Sequence, residues 1–270
     1  MGCFMEKYDV KFKRKYGQNF LKDLSIVKKI VDISGIDSKS LVIEVGPGGA
    51  IMTRELAQRA KQVVAYEIDK DLEKELSKRL ENINNVDIIF QDFLVSNLLE
   101  DISKYSYDSL FFVSNVPYYI TTPILLKIIQ SNLKFNKIVM MVQKEVGDRF
   151  TTLPGNKEYG SITVLLNYFY HVKKEFYVSR KYFIPEPNVD SVIVSFVENE
   201  EKLELKDFSF FEQLLRDSFQ FKRKTIRNNL KKYDLDIVSD VLKQYGYDLN
   251  VRAEKLDVEI FVHLANYLLK

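Results

Sequence analysis

Asn115, Val116, Pro117 and Tyr118 stand in a row after a short apolar run, and such a tetrad has a specific chemical use. An amine on an aromatic ring, such as the 6-amino group of adenine, is a poor nucleophile because its lone pair is delocalised. The Asn115 side-chain oxygen and the Val116 carbonyl can each accept one amino hydrogen. That holds the amine and draws its nitrogen toward tetrahedral geometry. Pro117 stiffens the turn, and Tyr118 offers a flat face for stacking. Upstream, Glu44-Val45-Gly46-Pro47-Gly48-Gly49-Ala50 closes one apolar run and opens a helical pattern. Glycines there allow a sharp turn and close approach of a ligand. Glu67 follows Gly46 by 21 residues and can accept both hydroxyls of a ribose. Asp92, after the next apolar run, can accept from an adenine amino group. Together these residues describe a nucleoside site at the carboxyl edge of a sheet. A Walker loop is excluded because no Gly-Lys-Ser/Thr follows, and Ile51 takes the place of a third glycine, against a pyrophosphate fingerprint. Glu44, just before the turn, would repel a phosphate but tolerate an amine or sulfonium.

The elements that must position these residues alternate. Strands are expected at Leu41–Val45, Gln62–Glu67, Val86–Phe90, Leu110–Val113 and Ile138–Val142. Helices are expected at Ile51–Ala60, at Asp69–Asn82 with Leu72, Leu76 and Leu80 on one face, and after Thr122-Pro123. Such alternation predicts an α/β fold with a parallel sheet covered on both faces. Glu175–Val178 and Ser191–Phe196 read as later strands. Gly160–Tyr170 fits a strand by its β-branched residues and a helix by its length. Beyond the charged stretch Glu198–Lys206 the pattern is helical. The expected division is therefore 1–200 for the sheet domain and 201–270 for a small all-α domain.

The 270 residues carry 40 basic against 38 acidic side chains, so total charge says little about partners. Its distribution says more. Lys7–Lys15 holds five basic residues and one acid, and Arg216–Lys232 holds seven and one, a pattern suited to phosphates. The single cysteine, Cys3, excludes an internal disulfide and a cysteine-built metal cluster. His171 and His263 lie far apart and read as surface or packing residues, so no metal is expected. With no apolar run of membrane-spanning length, a cytoplasmic monomer is the expectation.

The set Gly17-Gln18-Asn19-Phe20-Leu21, Glu44-Val-Gly46-Pro-Gly48, Glu67, Asp92, Asn115–Tyr118 and Phe183-x-Pro-x-Pro-x-Val-Asp190-Ser191 resembles the ribosomal RNA adenine dimethyltransferases, the KsgA family and its Erm relatives. The resemblance runs from about Tyr16 to the C-terminus. It implies a Rossmann-like class I methyltransferase with a mostly parallel seven-stranded sheet and a small all-α C-terminal domain. It implies S-adenosylmethionine as methyl donor, contacted by Asn19, Leu21, Gly46, Glu67, Asp92 and Asn115. It implies that Asn115, Val116, Pro117, Tyr118 and Phe183 hold the target adenine. The family's usual glycine is replaced by Ala50, whose methyl group is expected to tighten the turn. The segment Phe219–Leu230, read as a helix, resembles the KsgA branch, so Arg223, Lys224 and Arg227 are expected on RNA phosphates. The implied substrate is two adjacent adenosines in a hairpin loop near the 3′ end of small-subunit rRNA, as free RNA or in a pre-30S particle. An Erm-type enzyme of large-subunit RNA and a non-catalytic ribosome-assembly factor are the alternatives; a DNA adenine methyltransferase would share the Asn115–Tyr118 chemistry but would bring a target-recognition insertion, which this sequence lacks.

Overall fold

The computed structural model describes residues 19–269. The Lys7–Lys15 cluster and Gly17-Gln18 lie outside them. In chain order the elements are β1 (Phe20–Leu21), α1 (Leu24–Ser34), β2 (Ser40–Val45), α2 (Ile51–Ala57), β3 (Gln62–Tyr66), α3 (Glu73–Arg79), β4 (Val86–Ile89), α4 (Leu98–Ile102), β5 (Ser109–Asn115) and α5 (Thr121–Gln130). They continue with β6 (Lys137–Gln143), α6 (Lys144–Phe150), α7 (Ser161–Phe169), β7 (Tyr170–Val178), β8 (Phe183–Ile184), β9 (Ser191–Glu198), α8 (Phe208–Ser218), α9 (Ile226–Asn229), α10 (Leu235–Gln244) and α11 (Val258–Leu268).

Seven strands form one sheet in the order β4-β3-β2-β5-β6-β9-β7. The pairs β3/β4, β2/β3, β2/β5 and β5/β6 are parallel, and β6/β9 is antiparallel. β2 is buried along its whole length. That is why it reads as a nearly unbroken apolar run rather than an alternation. The chain leaves β2 for β3 and β4 on one side, then returns to place β5 and β6 on the other. The neighbours β2 and β5 therefore flank the point where strand order reverses, the usual ligand position in open α/β sheets. Their ends are tied by Ser114, whose hydroxyl donates to the Val45 carbonyl at 2.6 Å. A separate two-stranded ribbon pairs β1 with β8, Leu21 opposite Phe183.

The expected helix Ile51–Ala60 stops at Ala57. The expected Asp69–Asn82 helix opens with a 3-10 turn, Lys70–Leu72, before α3, and Leu72, Leu76 and Leu80 form its buried face. The ambiguous segment resolves as α7. Its β-branched residues are overridden by burial of Thr163, Val164, Leu165 and Leu166. The Thr163 hydroxyl also donates to the Arg149 carbonyl at 2.8 Å.

By their contacts the described residues form two compact units, one of residues 19–147 with 173–197 and one of 148–172 with 198–269. The expected cut at residue 200 thus misses a segment: 148–172 packs with the helical unit. Aromatic packing explains this. Tyr168 meets Phe211 with ring centroids 5.3 Å apart, and Phe169 meets Phe208 at 5.6 Å. The Tyr168 hydroxyl donates to the Leu203 carbonyl at 2.9 Å. In that unit, Asp207, Asp234 and Asp257 cap α8, α10 and α11 by accepting from first-turn amides.

The segment Phe219–Leu230 is not one helix. α8 ends at Ser218, a turn carries Lys222, Arg223 and Lys224, and only Ile226–Asn229 is helical. Asn229 breaks the run: its amide donates to the Ser218 carbonyl at 2.7 Å and its oxygen accepts from the Phe221 amide at 3.2 Å. These bonds replace helical pairing with a side chain.

Candidate active site

A cavity of about 390 Å³ opens at the carboxyl ends of β2, β3, β4 and β5. Its size is that of a small-ligand site. Gly46, Glu67, Asp92 and Asn115 all line it, each at the end of a different strand or within three residues after it. Four residues separated by up to 69 positions thus meet because parallel strands end on one edge.

The glycine turn is built by backbone conformation. Gly46 and Gly48 have φ of 74° and 50°, a region costly for side-chain-bearing residues. The Gly46 amide donates to the Tyr66 carbonyl at 2.9 Å, fixing the turn to β3. A Cβ on Gly48 would lie 2.6 Å from the Phe20 ring. Gly48→Ala is therefore expected to cost about 1–3 kcal/mol, from left-handed backbone strain and displacement of Phe20. Chemical denaturation checks this, and an unchanged midpoint would contradict it. Ala50 also sits at positive φ, 57°, and caps α2. Its methyl group is buried with Phe20, Leu72, Leu76 and Leu80, so it serves the small core behind the turn.

Glu67 is buried, and its two carboxyl oxygens accept from the Gly48 amide at 3.4 Å and the Asp69 amide at 2.9 Å. Burial raises its pKa, against the pull of those amides. Asp92 accepts from the Leu94 amide at 2.9 Å, which turns the chain after β4. The described lining holds two carboxylates and no Lys, Arg or His. Such a donor set suits a nucleoside ligand bearing positive charge and disfavours a phosphate.

Glu44 lies outside this cavity and lines a smaller one of about 20 Å³ with Gly46, Pro47 and Asn115. Burial pushes its carboxyl up to about 8, with partial relief from the Thr53 hydroxyl and reinforcement from Glu67. Its Oε2 has no hydrogen-bond partner among the described residues.

The Asn115 side-chain amide donates to the Asn19 carbonyl at 3.1 Å. This orients the side chain and leaves Oδ1 to accept from a ligand, the role expected of it. Val116 is buried, and Pro117 packs 3.7 Å from the position a Gly46 Cβ would take. The Tyr118 ring lines the cavity, and its hydroxyl shares a hydrogen bond with Ser191 Oγ at 2.6 Å. Burial raises the Tyr118 pKa, so the phenol stays neutral.

Two expected site residues are placed elsewhere. Phe183 is 1% exposed and sits in the main core with Leu21, Val178 and Ile193, outside the cavity lining. The reason is its pairing opposite Leu21, which sends both side chains inward. Leu21 borders the smaller cavity and not the larger one. The late proline-containing motif reaches the site through Ser191 instead. Removing that hydroxyl, as in Ser191→Ala, is expected to lower kcat about 3- to 10-fold, the loss of one hydrogen bond that aims Tyr118. Steady-state kinetics check it, and unchanged kcat would make the bond incidental. Arg223, Lys224 and Arg227 are exposed and belong to the helical unit.

Sequence reasoning missed Tyr66, Ile68, Gln91, Phe93, Leu94, Tyr119 and Ile120 as lining residues. Ile68 follows Glu67 directly, and Phe93 and Leu94 follow Asp92. Position after each strand-end acid was the available signal. Apart from Gln91 they supply aromatic and apolar walls suited to a flat purine.

A mostly parallel sheet with its nucleoside cavity at the strand-order reversal defines a class I methyltransferase. The chain belongs to the ribosomal RNA adenine dimethylase family, which it matches over residues 9–270. It is 40% identical over 274 aligned positions to ribosomal RNA small subunit methyltransferase A of Bacillus mycoides (strain KBAB4), covering 98% of this chain and 94% of that protein. Among solved structures it is similar to a dimethyladenosine transferase from Plasmodium falciparum, with TM-score 0.76, 29% identity and coverage of 91% of this chain and 95% of that one. It is also similar to the 23S rRNA methyltransferase ErmE, with TM-score 0.71, 27% identity and coverage of 93% and 100%. The protein is accordingly an enzyme that dimethylates adenine in small-subunit rRNA and uses S-adenosylmethionine.

Proposed function

We propose that the substrate is a pair of adjacent adenosines in a hairpin loop near the 3′ end of small-subunit rRNA, presented by a pre-30S particle in the cytoplasm to a monomeric enzyme. The observation that carries the reading is Asn115 in the cavity lining, its side-chain amide donating to the Asn19 carbonyl, which leaves its oxygen to accept from a ligand. Loop adenines suit such an edge site because they are already partly unstacked, so turning one inward costs little. Relatives named for the small subunit at 40% identity support that subunit over the large one.

When bound, S-adenosylmethionine supplies an electrophilic methyl group on sulfur. Glu67 would hold its ribose hydroxyls, Asp92 its adenine amine, and the Gly46 turn and Asn19 its amino-acid portion. Asn115 Oδ1 and the Val116 carbonyl would accept the two hydrogens of the target amine, freeing the nitrogen lone pair. Tyr118 would stack on the target base. Asn115 Oδ1 and the Val116 carbonyl would keep that lone pair aimed at the methyl group, and the amine proton would pass to water once the nitrogen is alkylated. Positioning supplies the catalysis, so no side chain must act as a strong base. The all-α unit would bind RNA phosphates through Arg223, Lys224 and Arg227.

The test incubates the enzyme and labelled cofactor with small and large subunits lacking adenine methylation, followed by nucleoside analysis. Dimethyladenosine in small-subunit RNA alone is expected. Label in large-subunit RNA would move the enzyme to the Erm reaction. No label in either, with cofactor bound, would make it an assembly factor.

A further inference from the structure

The turn between α8 and α9 holds a feature that phosphate binding does not require. Phe221 is 55% exposed, although a phenylalanine gains most by burial. Its neighbours Lys222, Arg223, Lys224 and Arg227 are exposed as well. Its backbone is held from several sides. The Phe221 amide donates to Asn229 Oδ1 at 3.2 Å, and its carbonyl accepts from the Lys224 amide at 2.9 Å. The same carbonyl lies 3.4 Å from the Asn229 side-chain nitrogen. Asn229 is itself buried and anchored to the Ser218 carbonyl. At the far end of the turn, the Ile226 and Arg227 amides donate to the Val251 and Leu249 carbonyls at 2.8 and 3.0 Å. The nearby acids are occupied: Glu212 pairs with Arg216 and Asp217 with Lys232. The residues that follow the ring in the chain, Lys222, Arg223 and Lys224, are exposed cations.

We propose that Phe221 is a base-stacking residue: the rigid turn presents its ring to an unpaired RNA base while the flanking cations hold the adjoining phosphates. An aromatic ring on a fixed backbone loses little conformational entropy on stacking. Every base has a face to stack, so the contact selects unpaired over paired RNA without reading sequence. Charge complementarity favours a polyanion as the occupant, and an unpaired base is the flat apolar group that a polyanion of this kind carries. The inference rests on the reading of this turn as an RNA contact, and deepens it by separating base from phosphate.

The test uses the full chain with two RNAs, a hairpin with an unpaired loop and a blunt duplex of the same stem, titrated by fluorescence anisotropy across a salt series. A 2-aminopurine in the loop reports stacking. Phe221→Ala is expected to weaken hairpin binding about 5- to 150-fold, the equivalent of ~1–3 kcal/mol per stacked base. Duplex affinity and the salt slope should stay unchanged, and Phe221→Trp should retain both affinity and the quenching of 2-aminopurine. Arg223→Gln with Lys224→Gln should instead weaken both RNAs and flatten the slope by about 1.4 on the single strand. Unaltered hairpin affinity in Phe221→Ala, with the charge variant weakened, would overturn stacking and leave the phosphate reading standing. Equal losses on hairpin and duplex would make Phe221 a support of the turn and overturn the proposal. No effect from either variant would overturn both readings.

Discussion

Replacing Asn115 with alanine is expected to abolish adenine methylation, with kcat/KM falling by about 10³-fold or more, while RNA affinity stays within a few-fold. The magnitude follows from what the side chain does. Removing one preoriented hydrogen-bonding group from a reacting centre costs roughly 10²–10³ in rate, and loss of the aligned geometry adds to it. Asn115 also donates to the Asn19 carbonyl, so the alanine variant removes that hold on Asn19. That second effect should appear as weaker cofactor binding. Asn115→Asp separates the two. It keeps an acceptor for the amine and loses the donor to Asn19, so cofactor affinity should fall while part of the turnover survives. Single-turnover methylation and cofactor titration measure each. Equal loss of RNA binding and methylation in Asn115→Ala would make the residue structural.

The second large effect concerns pH and Glu44. An ordinary glutamate titrates near 4.5, and burial lifts this one to about 8 in the fold. Between those values the folded protein keeps a proton that the unfolded chain has lost. Stability is then greatest at or below pH 4.5 as far as Glu44 is concerned, and falls as pH rises toward 8. Across the whole window the loss is roughly 3–5 kcal/mol. Glu44→Gln keeps the shape and is neutral in both states, so it should flatten most of that slope and leave the variant more stable than the parent at alkaline pH. The residual slope in the same direction belongs to Glu67, whose pKa burial also raises. Urea denaturation at a series of pH values decides it. A slope identical in parent and variant would mean that Glu44 is ionised in the fold. A cationic ligand near these carboxyls should draw protons off them, so cofactor affinity should rise with pH through the same window.

Much of this protein was written locally. The runs Leu41–Val45 and Ile138–Val142 are buried strands with no polar face to confuse them, and both lie within observed strands. Glu67, Asp92 and Asn115 announced themselves by following such runs, because a parallel sheet must deliver its strand ends to one edge. The turn glycines were readable because positive φ has few other tenants. What local pattern could not decide depended on long-range partners. Residues 161–169 became a helix because Tyr168 and Phe169 found Phe211 and Phe208, some 40 residues away. The basic segment became a turn because the buried Asn229 side chain took over backbone bonds that a helix would have made. Phe183, expected in the site, went to the core because strand pairing set it opposite Leu21. Its motif contributes Ser191 to the site, through a hydrogen bond across 73 residues. Sequence alone determined which residue types stand at which strand ends, since burial and alternation are local properties of the chain. Only the tertiary structure decided which way each side chain faces, because that follows from partners brought near by folding.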